Sequence, residues 1–191
     1  MWSERVAGGL AATLVLVGCG VNSADDDPTP GSDPGEVTYD LTTPPTRDQV
    51  GMAPGEKVVI DETDSGRPVT VALPEERRLA TEVHLVTFDS YAAGVDADTA
   101  DPTGMDMHTP RMGISAATDL LRDSLRQLGG SERIADTWRQ AAASAAGTET
   151  VRSENVPYEV GYLTARVQAR YSPIDEQASV AYVFFWGEAQ A

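Results

Sequence analysis

From Leu163 to Tyr171 apolar and polar residues alternate without a break. Leu163, Ala165, Val167, Ala169 and Tyr171 hold one parity, and Thr164, Arg166, Gln168 and Arg170 hold the other. Only an extended strand sends successive side chains to opposite faces, so this stretch predicts a sheet with one packed face and one wet face. After a turn predicted over Ser172–Glu176, the run Ala178–Trp186 is apolar almost throughout. That is the pattern of an interior strand covered, at least in part, on both faces.

A different period governs the middle of the chain. Ile114, Ala117, Leu121, Leu125 and Leu128 step by three or four along one helical face, behind Thr109 as a fitting N-cap and Pro110 as a fitting first helical residue. Gly129-Gly130 stops that helix, and Ser131 with Glu132 predicts the start of a second one. Its apolar stripe is Ile134, Trp138, Ala141 and Ala145, and Gly147 ends it. Upstream, Lys57–Ile60 and Val69–Leu73 flank the polar stretch Asp61–Pro68 and predict a hairpin with a long loop. Leu79–Phe88 is rich in β-branched residues and reads as a strand, although Leu79, Val83 and Val86 also keep helical spacing. Gly94–Thr109 reads as a loop. The expected fold is α+β: an antiparallel sheet of about four or five strands, with a two-helix hairpin packed on one face.

At the other end, Val6–Val17 carries no charge and is too short to span a bilayer as a helix. It closes on Leu16-Val17-Gly18-Cys19, which resembles the lipobox of bacterial lipoproteins: an aliphatic residue, a small residue, then cysteine. The resemblance covers about the first twenty residues. It implies cleavage after Gly18, a diacylglyceryl thioether on Cys19, and residence at the extracytoplasmic face of the cell membrane. Residues 1–18 are then the signal peptide. Residues 19–54, with Asp25-Asp26-Asp27-Pro28 and Pro30-Gly31-Ser32-Asp33-Pro34-Gly35-Glu36, read as an acidic Pro/Gly-rich tether that cannot bury enough surface to offset its ordering entropy. Within it Val37, Tyr39 and Leu41 alternate, and an edge strand there moves the domain start back to Val37. Otherwise the single domain is residues 55–191.

Thirty acidic side chains face fourteen basic ones, a formal charge of −16. Such a chain has no means of neutralising nucleic-acid phosphates, and an αα-hairpin alone does not argue otherwise. Cys19 is the only cysteine, so with its sulfur acylated no thiol remains for a disulfide or a nucleophile. No G-x-S-x-G, H-E-x-x-H or S-x-x-K occurs, and the bases available near neutral pH are His84 and His108.

Three binding constellations stand out. Met105, Met107, His108 and Met112 supply thioethers and one imidazole, a soft set that suits Cu(I). Asp96, Asp98 and Asp101 share a loop but miss the EF-hand calcium pattern at its later positions, and read as a solvated acidic loop. Arg166 and Arg170, on the wet side of their strand, are placed to meet an acidic ligand. The expectation is a lipid-anchored, non-catalytic module that binds a ligand or an envelope partner. The alternatives are a Cu(I)-binding envelope protein and an envelope hydrolase whose site is assembled only in space.

Overall fold

The computed structural model describes residues 35–90 and 100–186. Cys19, Gly18, the expected signal peptide, the expected tether up to residue 34, and Asp96 and Asp98 lie outside them. In chain order the elements are β1 (Val37–Asp40), a short 3₁₀ turn at Asp48–Val50, β2 (Val58–Ala72), β3 (Arg78–Asp89), β4 (Gly104–His108), α1 (Ile114–Leu128), α2 (Arg133–Ala143), β5 (Val151–Arg152), β6 (Pro157–Val160), β7 (Leu163–Ser172) and β8 (Gln177–Phe185).

The expected α+β fold with four or five antiparallel strands is overturned. Strand takes up 43% of the described residues and helix 20%. The eight strands form one mixed sheet in the order β1-β2-β3-β4-β8-β7-β5, with β6 also paired to β7. It is mixed because β1 runs parallel to β2, from Val37 beside Val69 to Asp40 beside Ala72. Two strands escaped the sequence reading for physical reasons. Gly104–His108, expected in a loop, is inserted between β3 and β8 and bonded to both. The stretch Asp61–Pro68, expected as a hairpin loop, lies inside β2: Glu62 pairs with Leu85 and Arg67 with Val83, so the ladder resumes beyond a large bulge. Gly66 occupies the bulge at φ 76°, where a Cβ would lie 2.6 Å from Pro110 Cγ. The real hairpin turn comes later, at Pro74–Arg77, with Glu75 and Glu76 both at φ near 60°.

The bulge bends the sheet. Tyr39 pairs with Val71 in one half of β2 yet donates to Asp61 in the other and packs edge-on against Phe88, with ring centroids 5.6 Å apart. At the far side Tyr162 donates to the Leu41 carbonyl at 2.9 Å. The inner surface holds the core: Val83, Val86, Met105, Met107, Val167, Val180, Tyr182 and Phe184 are buried against Leu121, Leu125 and Leu128 of α1 and Trp138 of α2. Buried Ser124 and Tyr182 hydroxyls meet at 2.9 Å. Residues 35–54 belong to this body and not to the tether, since Leu41 and Met52 are buried in the same core.

α1 starts at Ile114 behind Gly113, not at Pro110. Thr109 is held by β8 instead: its Oγ1 accepts from Val180 N at 2.9 Å and its own N–H donates to the Val180 carbonyl at 3.0 Å. The Ser131 side chain does not cap α2. Among the described residues no helix is long and apolar enough to cross a membrane.

Candidate ligand-binding site

The face of the sheet turned away from the helices is built by alternation. Because Leu163, Ala165, Val167, Ala169 and Tyr171 are buried, Thr164, Arg166, Gln168 and Arg170 must face outward. Register extends the face across the sheet. Thr87, Asp106, Val183 and Arg166 form one transverse row; Leu85, His108, Ala181 and Gln168 form the next. Beyond them Ser179 and Arg152 flank Arg170 on either side.

Not every arginine is ion-paired: Arg78 on β3 and Arg133 and Arg139 on α2 have no carboxylate partner among the described residues. On the helices Arg122 bridges Asp119 and Asp136 at 2.7 and 2.9 Å, and Arg126 bridges Asp123 and Glu132 at 2.8 and 2.9 Å. Arg152, Arg166 and Arg170 pair with no carboxylate among the described residues. Buried Arg166 Nε has no hydrogen-bond partner. Arg170 uses only Nε, which donates to Gln168 Oε1 at 3.2 Å, while Gln168 Nε2 donates to the Ser153 carbonyl at 3.2 Å. Gln168 therefore steadies the Arg170 side chain and leaves its terminal nitrogens open.

Next to Arg170 is a pocket of about 110 Å³ lined by Arg111, Thr150, Ser172, Ser179 and Asp175 together with Arg170 itself. Arg111 reaches it because Met112 exchanges a pair of 2.8 Å backbone bonds with Ala178, which carries the chain along β8 after β4 ends. Asp175, in the β7–β8 turn, bridges Arg111 at 3.1 Å and accepts from the Ser172 hydroxyl at 3.0 Å.

Toward β3 and β4 the same face becomes acidic. Burial pushes the Asp89 carboxyl up to about 6, and the charge of Asp106 adds to the shift. Asp89 Oδ1 is buried without a hydrogen bond. Burial also raises Asp106, against the opposing pull of His108. It lowers His108, helped by Arg170 and His84 and opposed by Asp106. Among the described residues neither histidine is hydrogen-bonded to a carboxylate, and His84 Nδ1 is buried and unpartnered.

The sequence-derived constellations fare differently. Arg166 and Arg170 share the outer face, but only Arg170 lines the pocket. Met105, Met107, His108 and Met112 do not converge: the first two are fully buried on the helix side, and His108, one residue on, points to the other face. Among the described residues no three His, Cys, Asp or Glu side chains are grouped closely enough to hold a metal ion. Asp101 accepts from Arg47 N at 3.0 Å. Arg111, Arg152 and Ser179 were not signalled by any motif, because long-range strand pairing alone brings them together.

No family model matches this chain, and it matches neither a characterised protein nor a solved structure.

Proposed function

We propose that this chain is an extracytoplasmic lipoprotein, held at the membrane by lipid on Cys19, whose domain binds an anionic ligand or envelope partner through the outer face of its sheet. The anchor rests on the resemblance of Leu16-Val17-Gly18-Cys19 to a lipobox. The binding role rests on one observation: strand pairing gathers Arg152, Arg166 and Arg170, none with a carboxylate partner among the described residues, on one face of the sheet in a chain with thirty acidic residues. Carboxylates are not scarce here, so bare guanidiniums gathered on one face mark a place kept for an incoming negative group.

Two measurements test this reading. Mass spectrometry of the mature protein should find an N-terminal Cys19 with added acyl mass; a free thiol at Cys19 removes the anchor. Net charge alone, at −16, would carry the protein straight through a column of immobilised polyglutamate. Retention of the wild type at low salt, lost in an Arg152→Gln, Arg166→Gln, Arg170→Gln triple variant, is the expected result. Flow-through of both removes the binding role.

A further inference from the structure

The face described above is broad, and its arginines are not equivalent. Arg166 stands in the row of Asp106 and Val183, separated from Arg170 by Gln168 on the same strand. Arg170 stands beside the pocket, directly opposite Arg152.

We infer that this pocket is an oxyanion site, in which a phosphate or carboxylate group is held by the guanidiniums of Arg170 and Arg111 and the hydroxyls of Ser179 and Thr150, with Arg152 outside the lining and adding positive charge from across the ladder. The inference deepens the proposed function and rests on it.

Four observations carry it. First, like charges placed directly opposite across a ladder repel, and Arg152 and Arg170 hold that position with no carboxylate to relieve them. An anion held by Arg170 offsets that repulsion. Second, the terminal nitrogens of Arg170 are unpaired while Gln168 fixes its Nε, so a planar fork is presented without much ordering left to do. Third, the Ser179 and Thr150 hydroxyls line the pocket and bond to no described residue, so both are available to donate. Fourth, the local charge is favourable: Asp175 neutralises Arg111 at 3.1 Å, which leaves Arg170 and Arg152 as net positive charge.

The shared chemistry is a small oxyanion, and it has two sources: a free anion such as inorganic phosphate, or the phosphate of a lipid headgroup. Calorimetric titration of the full mature chain in detergent, at low salt, separates them. One arm uses inorganic phosphate and the other glycerol phosphate, the water-soluble fragment of an anionic phospholipid. Tighter binding of phosphate assigns the free anion; tighter binding of glycerol phosphate assigns the headgroup. In either case Arg170→Gln should weaken binding roughly 10–100-fold, and Arg152→Gln by a smaller factor that shrinks with added salt. Ser179→Ala should weaken it less, and Arg139→Gln, at an exposed position of α2, should leave it unchanged. These side chains are on the surface, and unchanged melting curves establish that the variants are folded. Binding that survives Arg170→Gln but is lost in Arg166→Gln overturns the pocket while leaving the face as the binding surface. No binding of either anion by the wild type also overturns the pocket, and the polyglutamate column then decides the wider reading separately.

Discussion

Arg152 and Arg170 face each other across the β5–β7 ladder, each without a carboxylate partner among the described residues. The neighbouring pair, Val151 with Tyr171, turns inward, and Trp138 Nε1 donates to the Val151 carbonyl at 3.3 Å. The core thus fixes the register that brings the two arginines together, and the repulsion is tolerated because packing on the inner face outweighs it. Replacing one partner by an acid should convert repulsion into attraction. Arg152→Glu is expected to stabilise the domain by about 0.2–1 kcal/mol in urea unfolding at low salt, and to abolish the response to phosphate. A loss of stability would show that the Arg152 side chain is engaged in packing and not held open.

The helix pair supplies the inner half of the core. Trp138 is 2% exposed and Leu121 fully buried. Truncation to Ala should cost about 3–5 kcal/mol for Trp138 and about 2–5 kcal/mol for Leu121, read from chemical denaturation. Near-normal stability of either variant would mean the helices do not pack on the sheet as described.

The β2–β3 turn places two glutamates in the left-handed region, Glu75 at φ 60° and Glu76 at φ 59°. Side chains pay a steric penalty there that glycine avoids. Glu76→Gly should therefore stabilise the protein by about 1 kcal/mol, seen as a higher melting temperature. Arg77 keeps its 2.8 Å bridge to Glu75 in this variant, so the gain isolates the backbone.

Asp89 gives the fold a pH dependence whose sign is set by its burial. Its carboxyl moves from an ordinary 3.8 to about 6 in the folded state, so the native protein binds the proton more tightly than the unfolded chain. The stabilisation is complete below about pH 4 and is lost as pH rises through about 6. Asp89→Asn should raise the melting temperature at neutral pH, and the wild-type minus variant difference should shrink toward zero as pH falls to about 4. A difference that does not change with pH would place the Asp89 carboxyl at its ordinary value.

How far the sequence reaches is clearest strand by strand. β7 and β8 were legible because alternation and an unbroken apolar run are local signals. β4 was not: five residues with Gly, Asp and His among them have no strand propensity, and Met105 and Met107 are buried only because β3 and β8 close on either side. β2 was misread because Asp61–Gly66 has loop composition, and continuity across it depends on β3 pairing in two registers. The site followed the same division. Arg166 and Arg170 could be placed on a wet face from parity alone, whereas Arg111 and Arg152 reach Arg170 through pairings distant in sequence. The thioether and imidazole set looked coherent as a loop; once Gly104–His108 is a strand, adjacent residues must part to opposite faces.

The outer face of the sheet, as proposed, receives an anion. That proposal is checked by titrating the isotope-labelled chain with inorganic phosphate and following backbone and arginine side-chain resonances by NMR. Saturable shifts are expected at Arg170, Ser179, Arg111 and Thr150, smaller ones at Arg152, and none along α1 or α2. Shifts confined to the helix surfaces, or no saturable shift at Arg170, would contradict it.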